Sequence, residues 1–349
     1  MTIPSGKVSG WTSLRFKWII ATVMVVTLAA IATMNIVIDP LDLYGNTCMQ
    51  PWQFNRYERK LSLFRDFESP HVLILGSSRV EALNPETVRD ITGENCFNWA
   101  QPSASAETLL AALKLAVEEN EAPIDTVIVC IDPMIFHPSM WIHPQARLVS
   151  DYTHYFSGDF GLTNLRERMA RLLTLEQTKS SWQVIRRELG IDPNVPRIEY
   201  RDDGFAIYPQ REEALQNGDY NLEEILSNRV PAYVDSVLGI DNFNGLSPAR
   251  QDYWEEFLQL CVGHDIKVYA FIPPMHPELW EFIQEKGVDH LYTETSEYVE
   301  RTVAESGGVF RNYIELDSFD GDPEMFWDEV HMRPENGEAL LWNLLGAGY

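Results

Sequence analysis

Apolar positions along this chain fall into three patterns. The first is an unbroken run, Trp18–Ile38, 21 residues without a charge. The second is a set of short, nearly continuous apolar stretches: His71–Leu75, Cys96–Trp99, Thr126–Ile131, Lys267–Ile272 and Val309–Leu316. Stretches of this length with little alternation predict strands covered on both faces. The third is helical spacing. Glu107–Asn120 carries Leu109, Leu110, Leu113, Leu115 and Ala116, and Pro248–Val262 carries Tyr253, Phe257, Leu258 and Cys261. Tyr292–Glu305, Pro334–Leu345 and, ahead of the first strand, Tyr57–Asp66 share that period. Strands alternating with helices predict an α/β domain with a parallel five-stranded sheet joined by right-handed crossovers.

About 115 residues, Asp132 to Leu246, separate the third and fourth strands, too many for a structureless loop in a compact domain. They predict an insertion at about 133–246, packed over the sheet edge as a lid or partner surface. Its first part is rich in aromatics (Phe136, Trp141, Tyr152, Tyr155, Phe156), Leu162–Leu173 and Leu175–Glu188 are helical, and Val195–Asn217 is irregular or β-like.

The run at 18–38 is long enough to cross a bilayer as a helix. Lys7, Arg15 and Lys17 precede it and no acidic residue occurs before Asp39, an asymmetry that predicts a cytoplasmic N-terminus and an extracytoplasmic remainder. The domain organisation is then a cytoplasmic 1–17, an anchor at 18–38, a connector at 39–69 and the α/β domain at 70–349. Ala30-Ile31-Ala32 offers a signal-peptidase-like site as the alternative, but the apolar run outlasts the roughly 7–15 residues of a signal core.

The net charge is −25, and beyond the anchor 24 basic residues face 52 acidic ones. Such a surface repels phosphate backbones and disfavours nucleic-acid binding. It would also repel polyanionic glycans unless a local basic patch intervenes. The four cysteines match no zinc spacing. Cys130 and Cys261 fall on core positions. Cys48 and Cys96 fall in polar turns and could pair outside the cytoplasm, closing a loop worth about 4 kcal/mol.

Two segments carry candidate chemistry. Gly76-Ser77-Ser78-Arg79 directly follows the first strand, and Asp328-Glu329-Val330-His331 directly precedes the last helix. A serine on a strand-to-helix turn needs a base to become a nucleophile, and the base needs an orienting carboxylate. In an open parallel sheet, ligands bind beyond the carboxyl ends of the strands. Ser78, the segment 98–105, Asp132, and Asp328 with His331 all fall on that edge. Each has a plainer role open to it. Ser77 or Ser78 can cap a helix, Arg79 can pair with a carboxylate, and Asp328 and His331 can be turn and surface residues. His276 after the fourth strand can be a structural loop residue. His137, His143 and His154 lack metal-ligand spacing.

These motifs resemble those of the SGNH/GDSL hydrolase superfamily, more narrowly its membrane-anchored members that accompany membrane-bound O-acyltransferases in polysaccharide modification. The resemblance covers roughly Pro70–Ile131 and Lys267–Tyr349. It implies a flavodoxin-like three-layer sandwich with Ser78 as nucleophile, His331 as base and Asp328 as its orienting partner. It also implies no cofactor, an acyl or acetyl transfer or ester hydrolysis on a cell-surface polysaccharide, and placement at the bacterial inner membrane with the domain in the periplasm. Two blocks depart from the pattern. Ser103 stands where the family usually has a glycine whose N–H helps hold the oxyanion, and Asp132 stands at the family's Asn. An ionised carboxylate cannot donate to an oxyanion, so either another donor such as Asn98 replaces it or Asp132 positions the site. Arg79 adjoins the nucleophile and is a candidate for substrate contact. A catalytically silent accessory to a membrane-bound O-acyltransferase, or a glycan-binding module using the aromatic insertion, is the alternative.

Overall fold

The computed structural model describes residues 10–44, 48–49, 51–138, 142–156, 166, 168–191, 198–234, 243 and 245–346. Lys7, Trp141 and the first half of the helix expected at Leu162–Leu173 lie outside them. The described residues fall into two compact units, one from 1–55 with 159–194 and one from 56–158 with 195–349.

The larger unit is built on five parallel strands, β1 (Val72–Leu75), β2 (Cys96–Asn98), β3 (Thr126–Cys130), β6 (Lys267–Ile272) and β7 (Val309–Asn312), in the order β2-β1-β3-β6-β7. This is the expected flavodoxin-like arrangement, and the chain reverses its direction of travel across the sheet between β1 and β3. Every residue of β1, β2 and β3 is buried, which explains why these strands read as apolar runs rather than alternations. On one face Val72, Ile74, Ile128, Cys130, Tyr269 and Phe271 pack with α3 (Pro85–Thr92) and the apolar stripe Leu340, Leu341, Leu344 and Leu345 of the last helix, Pro334–Leu345. Against the other lie α4 (Ala106–Glu119) and the helices Pro248–Gly263 and His290–Glu305. Helix α2 (Arg56–Asp66) also belongs to this unit.

The residues between β3 and β6 depart from expectation at 209–217. Among the described residues of the expected irregular stretch, the short hairpin β4 (Glu199–Tyr200) and β5 (Ala206–Ile207) pairs as β, and Pro209–Asn217 is a helix. Proline at its first turn and Gly218 in the left-handed conformation bound it, but none of its residues is buried, so it left no apolar period to read. A further helix spans Leu222–Tyr233. Short helices at Pro144–Leu148 and Ser150–Thr153 precede these. Phe136, Tyr152 and Phe156 are core residues.

The hairpin covers the outer edge of β2. Asn98 N donates to Asp203 O at 2.8 Å, and Ala206 N donates to Glu81 O at 2.9 Å. A Cβ on Gly204 would stand 2.2 Å from Asn98 O, so the turn needs glycine to approach so closely. An edge strand left open would template pairing with other chains.

All four cysteines are free thiols, which corrects the expected Cys48–Cys96 pair. Cys96 is not in a turn but opens β2 with its side chain in the core, while Cys48 is exposed. Burial pushes the Cys130 thiol well up and that of Cys261 to about 12, so both are inert core residues.

The smaller unit holds α1 (Gly10–Ile38), whose stretch Arg15–Ile38 is long and apolar enough to cross a membrane. Within this unit α1 packs against the helix Leu175–Glu188.

Candidate active site

Ser78 leaves β1 on a turn that only glycine allows. Gly76 has φ +150°, and a Cβ there would sit 2.7 Å from both Cys130 Cβ and Val80 Cγ2. Ser77 Oγ then accepts from Arg79 N at 3.4 Å, opening a single 3-10 turn, Ser78–Val80.

Asp328 and His331 lie in a tight loop before the last helix. Trp327 N donates to His331 O at 2.7 Å, Arg333 N donates to Met325 O at 3.0 Å, and Phe326 and Met332 bridge antiparallel. Asn336 closes the base of the loop, its amide donating to Asp322 O at 2.8 Å and Met325 O at 3.0 Å. Asp328 Oδ1 accepts from Val330 N at 3.2 Å and His331 N at 2.9 Å. This folds the carboxylate back over the residues that follow it, and the same oxygen meets His331 Nδ1 at 2.7 Å. The three-residue spacing therefore has a local geometric cause. The opposite ring nitrogen, Nε2, is 2.9 Å from Ser78 Oγ.

The electrostatics assign the tautomer. Burial alone would raise Asp328, but the His331 imidazole and the Arg211 and Arg229 guanidiniums outweigh it and hold the carboxyl well below the usual range. Ionised Asp328 can only accept, so His331 Nδ1 carries the proton and the Nε2 lone pair faces the Ser78 hydroxyl. The Asp328 side chain is 1% exposed and that of His331 21%, so solvent or substrate reaches the imidazole but not the carboxylate.

The other expected site residues divide. Arg79 is buried and committed: NH1 donates to Asp132 Oδ2 at 2.7 Å and NH2 to Pro274 O at 2.6 Å. It ties the Ser78 turn to the ends of β3 and β6, so it is a brace rather than a substrate contact. Asp132 is engaged on both oxygens, and its Oδ1 accepts from Met134 N at 3.1 Å. Asn98 does not replace the missing donor. Its Nδ2 donates to Val80 O at 2.9 Å and Leu83 O at 2.8 Å, holding the backbone just past Ser78. Ser103 is exposed with φ +48°, a conformation that glycine adopts freely and serine rarely. Neither the Ser78 nor the Ser103 N–H has a hydrogen-bond acceptor among the described residues. His276 is buried; its Nδ1 accepts from Glu278 N at 3.3 Å, capping the helix Pro277–Glu285, and its N–H donates to Glu329 O at 3.0 Å. His143 likewise caps a helix and stacks on Tyr57 with ring centroids 5.5 Å apart.

Sequence reasoning missed two groups here. Arg211 and Arg229, on the helices Pro209–Asn217 and Leu222–Tyr233, reach Asp328 Oδ2 at 2.9 and 3.4 Å. More than a hundred residues separate Arg211 from Asp328, and no local pattern links them. Behind the nucleophile, Glu81 is fully buried and accepts from the Tyr200 hydroxyl at 2.7 Å and from Arg56. Beside it lies fully buried Lys60, whose Nζ donates to Asn98 O at 2.6 Å and to Gly204 O. Burial pulls this ammonium down to about 7, partly opposed by Glu81. A lysine and a glutamate that belong to no motif read as ordinary surface charges.

No family model matches the sequence. No curated protein matches it. Among solved structures, one from Streptococcus pneumonia, provisionally described as a platelet activating factor, aligns with a TM-score of 0.37 at 10% identity, covering 84% of this chain and 93% of that one.

Proposed function

We propose that the chain is a membrane-anchored serine acyltransferase or esterase of the SGNH/GDSL type, acting outside the cytoplasm on a cell-surface polysaccharide. One observation carries this reading: the unbroken hydrogen-bond line from Ser78 Oγ through His331 to buried Asp328, beyond the carboxyl ends of a parallel sheet. A capping serine or a surface histidine has no need of that line.

In this reading Ser78 Oγ attacks the ester carbonyl while its proton passes to His331 Nε2. Asp328 holds the ring and stabilises the imidazolium. The proton then goes to the departing alkoxide, leaving an acyl-Ser78 ester. A sugar hydroxyl or water attacks that ester, gives its proton to His331, and the proton returns to Ser78 as the acyl group leaves. The N–H groups of Ser78 and Ser103 serve as oxyanion donors, each worth about 3 kcal/mol of transition-state stabilisation. The chemistry calls for no cofactor.

The apolar helix and its basic flank support an inner-membrane anchor with the catalytic unit in the periplasm. A membrane-bound O-acyltransferase is the partner class that could hand acyl groups to Ser78.

The test is covalent labelling of the purified chain with an activated ester or fluorophosphonate probe. Labelling of the wild type and none of Ser78→Ala is expected. Equal labelling of both would refute the assignment.

A further inference from the structure

The helix Leu175–Glu188 is amphipathic the wrong way round for water. Its inward face is small and mostly polar: Gln177, Ser180, Ser181 and Val184 are its buried residues. Its outward face carries Leu175 (78% exposed) and Trp182 (57%). Leu189, one residue past its end, continues the stripe at 68% exposed. Met169, Leu173 and Ile191 extend the exposed apolar surface at either end. Three exposed apolar side chains along one stripe are unusual on a soluble surface.

Two further observations say what covers this face. The first is continuity with α1. Asn35 Nδ2 donates to Leu172 O at 2.8 Å and to Thr178 Oγ1 at 3.2 Å, and its Oδ1 accepts from Ser181 Oγ at 2.7 Å. The two helices meet through small side chains and the hydrogen bonds of Asn35 at the last turn of the bilayer-length stretch. This is how helices associate where lipid removes the hydrophobic drive. The second is charge. Residues 166–191 hold six cations, Arg166, Arg168, Arg171, Lys179, Arg186 and Arg187, against three carboxylates, within a chain of net charge −25. Lys179 and Arg186 fall on the same helical face as Leu175 and Trp182, by their spacing of three and four residues. Apolar side chains with tryptophan and flanking cations are the composition of a helix lying in a membrane interface.

We infer that Leu175–Glu188 is a second membrane contact. It lies along the interface at the extracytoplasmic end of α1, with Leu175, Trp182 and Leu189 at the headgroup–acyl boundary and Lys179 on anionic phospholipid headgroups. The inference rests on the reading that α1 spans the bilayer.

The experiment uses the full chain carrying Cys48→Ser, since the other three cysteines are buried. It is reconstituted in phosphatidylcholine–phosphatidylglycerol vesicles with an environment-sensitive fluorophore on Trp182→Cys, Val25→Cys or Glu300→Cys. A spin label at the lipid headgroup should cut emission at 182 roughly twofold, more than a label at mid-acyl depth does, because interfacial helices bury about 5–10 Å. The order should reverse at 25, and neither label should quench 300. Emission at 182 that matches 300 overturns the inference by placing the face in water. Blue-shifted but unquenched emission at 182 overturns it by placing the face against protein. An unquenched 25 removes the anchor itself, and this contact with it, while leaving the Ser78 labelling result untouched.

Discussion

Ser78 and His331 are 253 residues apart in the chain, and their side chains are 2.9 Å apart. The sheet makes that contact by ending β1 and β7 on the same side. If the pair acts as one unit, Ser78→Ala and His331→Ala should each lower turnover of an activated ester by about 10⁴-fold or more, and the double variant should be no worse than either. Steady-state kinetics on the three variants check this. Multiplying losses would mean that the two residues act independently.

Asp328→Asn should also lower turnover by about 10⁴-fold, because an amide can donate to His331 Nδ1 and favour the wrong tautomer. It should change acid stability too. The carboxyl is held below its ordinary value of 3.8 in the folded chain. The stability it contributes is therefore present above that value and lost as pH falls through the lower folded one. Urea midpoints should fall more steeply below about pH 4 in the wild type than in Asp328→Asn. Parallel curves would remove the charge argument.

Arg79 and Asp132 form a buried pair whose loss is asymmetric. Arg79→Met strands a buried carboxylate and should cost about 3–5 kcal/mol. Asp132→Asn should cost less, since Arg79 keeps its carbonyl partner Pro274. Chemical denaturation of both variants measures the difference, and equal small losses would mean that the pair braces nothing.

Lys60 gives the same pH sign in a higher window, as a penalty relieved rather than a contribution gained. Its ammonium is lowered from 10.5 to about 7, so the folded chain disfavours the charged form. The penalty is full below about pH 7 and is relieved as pH rises towards 10.5, where the unfolded chain also loses its proton. Stability of the wild type relative to Lys60→Met should therefore rise across that window by a few kcal/mol. Thermal unfolding of the pair at pH 6.5, 8 and 9.5 tests it, and a flat difference would mean that Lys60 is charged in the fold without cost.

The strands and the Ser78–His331 pairing were legible because both leave local marks. Buried parallel strands are short apolar runs, and a carboxylate bonding to the amides two and three residues on writes itself as D-x-x-H. What was illegible depends on distant partners. Pro209–Asn217 buries nothing, so no period betrayed it. Arg79 was open to substrate contact by adjacency to Ser78, but adjacency says nothing of the carboxylate 53 residues away that claims it. Ser103 was visible as a departure from glycine, while the φ of +48° that gives the departure meaning belongs to the folded backbone.

Arg211 and Arg229 reach Asp328 from helices the sheet does not require. A scaffold whose orienting carboxylate takes its countercharges from an accessory segment has given up modularity. Trimming that segment to a short connector would leave the strands intact, yet strip the buried anion of its two external cations. Homologous chains that shorten this region should therefore carry a compensating positive group elsewhere near the carboxylate, or tolerate a less acidic one.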